Sequence, residues 1–480
     1  MTEAVEYDVV VLGGGPAGEN IVDRTRAAGL STALVESELV GGECSYWACV
    51  PSKALLRPAL ARADARRVPG LGAAAAGPLD AEAVFAHRDY WTGSWKDDGQ
   101  VDWLESIGAD VYRGHGRLYG IRKVAVTSPE GEHNVLSARH AVVVATGTRA
   151  VIPDVPGLAE ARPWTSREAT SAQAAPGRLL IVGGSVVAAE MATAWQALGS
   201  QVTVLVRGSG LLPRMEPFAG ELVAQALREA GAVVRTGVAV ESVVRDGSTG
   251  PVTVVLEGGE ALEADELLMA TGRAPRTEDI GLDTVGLASG GWIAVDDSCR
   301  VPGIDWLYAV GDVNHRALLT HQGKYQARIA GAVIAARAGG NADGNTPLDT
   351  GRWGRHAATA DTEALPQAVF TDPEAASVGL TLAEAERAGH RVRAVDYDLG
   401  KVSGAGLYAD GYRGRARMVV DLDREILLGV TFVGPGAAEL LHAATIAVAA
   451  QVPVDRLWHA VPAFPTISEI WLRLLETYRG

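Results

Sequence analysis

The stretch YDVVVLGGGPAG, residues 7–18, decides the fold. Its first six residues are a short apolar run suited to a strand buried in a parallel sheet, and a helix-compatible stretch follows the glycines at once. The pattern is G-x-G-x-x-G between strand and helix. Gly13 permits the tight turn, Gly15 lets the backbone approach a pyrophosphate, and Gly18 lets helix and strand pack closely, while the helix start supplies unpaired N–H donors. After the next apolar run, residues 32–35, comes Glu36. A carboxylate there accepts hydrogen bonds from the ribose hydroxyls of FAD or NAD and repels a 2′-phosphate. A Gly-rich turn without a ligand is the bland alternative, and strand, helix and acid in register argue against it.

A second copy begins at residues 179–182 and continues Gly183, Gly184, Ser185, Val186, Val187, Ala188, with its own following strand at residues 202–206. Ser185 replaces the middle glycine. Its Cβ would crowd a pyrophosphate, whereas its hydroxyl could donate to a phosphate oxygen, and the sequence leaves both open. Val186, Ala188 and Val238 are read as further lining positions of this site. Val206 stands where an acid would read a free ribose, with Arg207 next and Arg214 seven residues on. Guanidinium groups recognise a 2′-phosphate, so NADPH is the implied donor; if both arginines are ordinary surface charges in an Arg-biased chain, NADH serves instead.

The 480 residues are 48% hydrophobic and 21% charged, which suits two or three globular domains. Gly is abundant, at 57 residues, without a triplet period, so many tight turns are expected rather than collagen or disorder. A net charge of −15 without any Lys/Arg run argues against nucleic acid as a partner. No basic leader and no long apolar segment are read at the start or later, so a cytoplasmic protein without membrane association is expected. Only five lysines occur, Lys53, Lys96, Lys123, Lys324 and Lys401, which draws attention to each.

Three cysteines are too few for a secreted disulfide framework, yet Cys44 and Cys49 lie close together in GGECSYWACVPSK, residues 41–53. In a regular helix five residues separate the Cα atoms by more than about 7 Å, beyond disulfide reach, so a bridge needs an irregular turn before the helix. Gly41, Gly42 and Pro51 suit that geometry. Pro51 fits a first helical turn and would put Cys49 near a helix N-terminus, where the dipole favours thiolate. Cys299 has no partner in its own segment and is read as a small core residue.

This segment resembles the redox-disulfide motif of the class I pyridine nucleotide-disulfide oxidoreductases, the group of dihydrolipoamide dehydrogenase, glutathione reductase, mycothione reductase and mercuric reductase. The likeness spans essentially the whole chain through Ala145-Thr146-Gly147, Ala270-Thr271-Gly272-Arg273, Tyr308-Ala309-Val310-Gly311-Asp312 and Phe370-Thr371-Asp372-Pro373-Glu374. It implies an α/β fold of two Rossmann-like dinucleotide-binding domains plus a C-terminal α+β dimerisation domain. The corresponding division is 1–155 and 281–351 for FAD, 156–280 for NAD(P) and 352–480 for dimerisation, with a linker at residues 341–352 and a homodimer expected. Gly116, Thr146, Gly147, Asp312, Leu318, Leu319, Thr320 and His321 would contact FAD, and Gly272 the nicotinamide nucleotide. Lys53 and Glu190 match the family's ion pair beside the flavin. Cys49 would face the flavin, and Cys44 would be the interchange thiol.

The pattern breaks near the C-terminus, where the family carries His-Pro-Thr-x-Ser-Glu and this chain reads Phe464-Pro465-Thr466-Ile467-Ser468-Glu469. Phe464 cannot carry a proton, although Glu469 keeps its place; His459, five residues earlier, is read as a surface or core residue. Tyr46 and Trp47 also depart from the family and would narrow access to Cys44 or stack on a flat acceptor; for Trp47, as for Tyr90, Trp91, Trp95 and Trp103, core or interface packing is the plain alternative. The expected enzyme passes electrons from NADPH through FAD to a small acceptor such as a quinone or metal ion. A lipoamide or low-molecular-weight disulfide reductase using another base is the alternative. A non-catalytic FAD-binding redox sensor or complex subunit is the alternative of another class.

Overall fold

In the computed structural model, which describes residues 4–339 and 347–480, the chain divides into two compact units, each gathered from three separate segments. The first half of the expected linker, residues 341–346, lies outside the described residues.

The first unit combines Met1–Val50, Thr92–Arg149 and Arg273–Thr362. Its sheet runs in the order Asp110–Arg113, Thr32–Glu36, Val5–Leu12, His133–Val144, Lys123–Thr127, His115–Leu118, and Leu307–Ala309 also pairs with His133–Val144. The first four strands and Leu307–Ala309 are parallel, whereas Lys123–Thr127 and His115–Leu118 add antiparallel edges. The apolar run at Val9, Val10, Val11 and Leu12 is buried because the parallel centre is covered on both faces. On one face Ile21 and Val22 of helix Pro16–Ala27 join Ile334 of helix Thr320–Arg337; on the other Leu118, Val124 and Leu307 pack. Cys299 lies wholly buried in the first of these cores, as a small core residue does.

The second unit combines Pro51–Trp91, Ala150–Gly272 and Glu363–Gly480. It holds a parallel sheet ordered Val233–Thr236, Gln201–Val206, Arg178–Val182, Glu266–Met269, and a three-stranded antiparallel sheet of Val240–Arg245, Val252–Leu256 and Ala261–Ala264. A five-stranded antiparallel sheet, ordered Pro366–Val369, Glu374–Gly379, Ile426–Gly434, Arg415–Asp421, Val392–Asp398, completes it. One apolar cluster runs from Leu55 and Phe85 through Trp195 of helix Val186–Ala197 to Val369 and Val433, so the C-terminal sheet shares a core with the second nucleotide fold. Among the described residues no helix is long and apolar enough to cross a membrane.

Candidate active site

In the first unit, Gly13 has φ +101°, and an added Cβ would run into the Ala145 carbonyl oxygen. Gly15 is the extended N-cap of helix Pro16–Ala27, and a Cβ on Gly18 would strike the Gly13 carbonyl oxygen. Side chains are thus kept off the turn for reasons of packing at Gly13 and Gly18, while Gly15 faces open space. Glu36 ends its strand with Oε2 accepting from Gly14 N–H at 2.6 Å and Oε1 accepting from Glu38 N–H at 2.7 Å. Burial raises its pKa. An FAD adenosine fits this arrangement: an open glycine at a helix N-terminus whose first N–H groups lack intrahelical acceptors, with a fixed carboxylate one strand away.

The motifs expected at the flavin end are brought together in the same unit. Thr148 Oγ1 donates to Asp312 at 2.8 Å, and Arg273 Nε lies 4.0 Å from the same carboxylate. Burial raises the Asp312 pKa, with Thr148 and Arg273 opposing it. Thr146 Oγ1 donates to the Arg276 carbonyl at 2.9 Å, and Gly147, at φ +67°, accepts from Arg276 N–H at 3.0 Å. Leu318 precedes the N-cap Leu319, and Thr320 and His321 open helix Thr320–Arg337. Gly116 lies inside strand His115–Leu118, where a Cβ would meet Leu12 and Val35, so its glycine already has a packing cause.

The thiols sit on two helices. Gly41, at φ +109°, caps the short helix Gly42–Tyr46 that carries Cys44; Trp47 breaks it with φ −137° and ψ 7°, and helix Cys49–Arg66 begins at the second thiol. The irregular turn required between the cysteines is therefore at Trp47 and Ala48, with Pro51 in the first turn after it. The two thiols are not bridged to each other, and both are half-buried. Hydrogen bonding to Cys49 and then burial push the Cys44 thiol well above its usual range, while Lys324 opposes that rise. Thr320 Oγ1 lies 3.3 Å from Cys49 Sγ, a partnership between residues 271 apart in sequence. Glu43, beside Cys44, faces Arg273 at 3.5 Å and Arg276 at 3.4 Å. These contacts, and the Lys324 charge, have no local signal in sequence.

The aromatics between the cysteines divide. Tyr46 is 1% exposed, with its hydroxyl on the Lys96 carbonyl and its own carbonyl accepting from Trp95 Nε1, so it is core and cannot stack on an acceptor. Trp47 is half-buried against the Tyr46 ring at 5.7 Å. Tyr90, Trp91 and Trp103 are exposed rather than packed in the core, because their helices turn these positions outward.

In the second unit, Lys53 Nζ lies 2.7 Å from Glu190 Oε2, and Phe370 N–H donates to Glu190 Oε1 at 3.0 Å. Glu190 is 3% exposed, and Lys53 also sits over the Phe370 ring at 5.1 Å. Gly183 has φ +134°, and a Cβ there would strike the Ala270 carbonyl oxygen. Ser185 is the N-cap of helix Val186–Ala197, its hydroxyl donating to the Ala270 carbonyl at 3.1 Å and accepting from Ala188 N–H at 3.5 Å. The hydroxyl proton is thus engaged within the fold instead of being free for a phosphate. Ala188 is buried, and Val238 N–H donates to the Val206 carbonyl at 3.2 Å. Gly272, at φ +141°, faces open space. Arg207 and Arg214 are exposed and make no ion pair among the described residues, in a chain where most arginines are paired. The turn, with Gly183 close-packed and two unpaired guanidinium groups after its second strand, fits a pyridine dinucleotide.

Near the C-terminus, Phe464 is 74% exposed. Glu469 is buried, with Oε1 accepting from Arg473 at 2.6 Å and Oε2 without a hydrogen-bond partner among the described residues. His459 is exposed.

Comparison with known proteins agrees over nearly the full length. Residues 7–339 match the pyridine nucleotide-disulphide oxidoreductase family, and residues 365–474 match the dimerisation domain of the same family. The dihydrolipoyl dehydrogenase of Chlorobaculum tepidum is 32% identical, covering 98% of this chain and 96% of its own. The mercuric reductase of Staphylococcus aureus is 28% identical, covering 97% and 81%. Among solved structures, the Cu(II) complex of the HOCl-induced flavoprotein disulfide reductase RclA from Escherichia coli superposes with a TM-score of 0.82 at 24% identity, covering 98% and 99%, and so shares the fold. The chain belongs to the pyridine nucleotide-disulphide oxidoreductases and is a flavin-dependent enzyme of that family.

Proposed function

We propose that this enzyme takes electrons from NADPH through FAD and delivers them to a small acceptor that needs no proton relay at the interchange thiol, of the quinone or metal-ion kind. The observation that carries this reading is Phe464, an exposed hydrocarbon ring at the place of the family's acid–base residue. The mercuric reductase relative, similar over 97% of the chain, supports a metal ion in particular. The dihydrolipoyl dehydrogenases, at 32% identity, support the competing dithiol reading. NADPH over NADH is supported by Val206 in the ribose-reading place and by the unpaired Arg207 and Arg214.

In this reading residues 1–155 and 281–351 hold FAD, 156–280 the nicotinamide nucleotide, and 352–480 pair two chains in the cytoplasm. The homodimer is supported by the matched dimerisation domain and by Leu407, Ile446, Val461 and Phe464, apolar side chains left exposed on the single chain. FAD, when bound, supplies a two-electron carrier between nicotinamide and thiols. Gly13, Gly15 and Gly18 admit its pyrophosphate, Glu36 fixes the adenosine ribose, and Asp312, steadied by Thr148, fixes the ribityl chain. Lys53, held by Glu190, places a cation for the flavin ring. Cys49 stands at the start of its helix with the Thr320 hydroxyl in contact, whereas hydrogen bonding to Cys49 and burial push the Cys44 thiol up. In this reading Cys49 is the charge-transfer thiol and Cys44 the interchange thiol, as the family resemblance implies.

An acceptor panel tests the proposal: quinones, Hg(II) and Cu(II), lipoamide and small disulfides, each with NADPH, for the unmodified enzyme and the Cys44→Ser and Phe464→His variants. Turnover with quinone or metal but not lipoamide is expected, with Phe464→His gaining disulfide reductase activity. Lipoamide reduction by the unmodified enzyme at rates on the order of ordinary enzymes, about 10 per second, would overturn it.

A further inference from the structure

A cavity of the second unit takes no part in the reaction proposed above. It encloses about 310 Å³, at the small end of the range of small-molecule sites. Arg62, Arg66, Arg67 and Arg413 line it, against only two carboxylates, Glu229 and Asp372. Two of the four charges are already answered, Arg67 by Asp372 at 2.5 Å and Arg413 by Glu229. The other two are not. Arg62 donates to the carbonyls of Gly77 at 3.3 Å and Ala197 at 3.1 Å, and Arg66 to those of Ala75 at 2.9 Å and Ala76 at 3.0 Å. Neither forms an ion pair among the described residues. Carbonyl oxygens orient a guanidinium group without cancelling its charge. The two residues are four apart on helix Cys49–Arg66 and so share a face, where like charges repel. Burial and the neighbouring Arg66 charge both make Arg62 easier to deprotonate. A concave wall carrying two braced guanidinium groups that no carboxylate pairs with among the described residues has the chemistry of an oxyanion receptor.

We propose that this cavity binds a small phosphate monoester, its dianionic head held between Arg62 and Arg66. The site is built into the elements that hold the Lys53–Glu190 pair. Arg62 shares a helix with Lys53, Thr193 lines the cavity one turn beyond Glu190, and Asp372 lies two residues after Phe370, whose N–H donates to Glu190. Binding there does not depend on which acceptor the enzyme reduces.

The test is calorimetric titration of the FAD-loaded enzyme with glycerol phosphate and with succinate, at physiological ionic strength, with and without saturating NADP⁺. Saturable binding of glycerol phosphate, indifferent to NADP⁺ and weakened about tenfold or more in the Arg62→Gln/Arg66→Gln double variant, is the expected result. Equal affinity for succinate overturns the phosphate assignment. Binding that is absent, displaced by NADP⁺ or unchanged in the double variant overturns the site itself. Because both arginines also brace the loop at residues 75–77, crystals of the unmodified enzyme soaked in selenate give a reading independent of the variant's folding. An anomalous peak between Arg62 and Arg66 supports the proposal, and its absence refutes it.

Discussion

The two nucleotide turns share one backbone and differ in their side chains. Gly13 N–H donates to Val35 and Gly183 N–H to Leu205, both at 2.9 Å, so Glu36 and Val206 occupy the same place in the two folds. Gly14 accepts from Gly41 N–H and Gly184 from Leu212 N–H, both at 2.8 Å. Gly15 and Ser185 have nearly the same conformation, φ −69° and ψ 178° against φ −76° and ψ 176°, and each opens a helix of 12 residues. The side chains change from Glu36 to Val206, Gly15 to Ser185, Pro16 to Val186, Ala17 to Val187, Gly18 to Ala188 and Glu19 to Ala189. In the proposed reading the shared backbone makes a place for a pyrophosphate, and the exchanged side chains decide which adenosine goes with it.

The largest expected effect separates the two turns completely. Gly13→Val imposes a side chain at φ +101° against the Ala145 carbonyl, and the purified protein should be colourless because FAD no longer binds. Gly183→Val, at φ +134° against the Ala270 carbonyl, should leave the protein yellow but unable to be reduced by NADPH. Absorbance at the flavin band, before and after NADPH, reads both. A yellow Gly13→Val protein would mean that the two folds had been assigned the wrong nucleotides.

The next effect concerns the exchanged acid. Charge-assisted hydrogen bonds contribute about 1.5–3 kcal/mol, so Arg207→Ala should raise the KM for NADPH roughly 10- to 100-fold and leave NADH unchanged. Val206→Glu, which copies Glu36 into the second fold, should invert the preference toward NADH. Initial rates with both donors measure this, and equal losses for the two would show that Arg207 does not meet the 2′-phosphate.

A smaller difference follows from Glu19, whose counterpart is Ala189. Burial raises the Glu19 pKa from 4.5 to about 7, although Lys324 opposes it. The folded chain therefore keeps a proton that the unfolded chain releases, so this carboxyl's contribution to stability falls as pH rises between 4.5 and about 7 and is flat above. Glu19→Gln should raise Tm at neutral pH relative to its effect at pH 4.5 and below. An equal effect at both would mean that Glu19 ionises freely in the fold.

The glycines and Glu36 were legible because their causes are local. A positive φ between strand and helix admits little but glycine, and strand register carries the acid to the turn. The same local logic put Cys49 near a helix N-terminus with an irregular turn before it, and the fold has the helix start at Cys49 and the break at Trp47. What sequence could not show are contacts closed by the fold: Thr320 on Cys49, Phe370 N–H on Glu190 at a separation of 180 residues, and Glu43 facing Arg273 and Arg276. No periodicity encodes such pairs, because they depend on how segments distant in the chain are interleaved. Burial of Tyr46, and the exposure on the single chain that takes Tyr90, Trp91 and Trp103 out of the core, escaped for a related reason: an aromatic ring suits a core, an interface or a surface, and only its neighbours decide.

Ser185 gives the smallest effect and the finest test of the shared backbone. Its hydroxyl donates to the Ala270 carbonyl at 3.1 Å and caps Ala188 N–H only weakly, at 3.5 Å, so it serves the turn and not a phosphate. A long cap bond belongs at the low end of capping energies, so Ser185→Ala should cost about 0.5 kcal/mol and Ser185→Gly only a few tenths. Neither should move the KM for NADPH more than roughly twofold, since no phosphate contact is lost. A hydroxyl that did reach the pyrophosphate would give the opposite ranking: little loss of Tm, and a KM about tenfold higher in both variants. Ser185 and Gly15 share a backbone conformation, so measuring both quantities on the same two variants isolates what one hydroxymethyl group does in a turn whose backbone repeats the first.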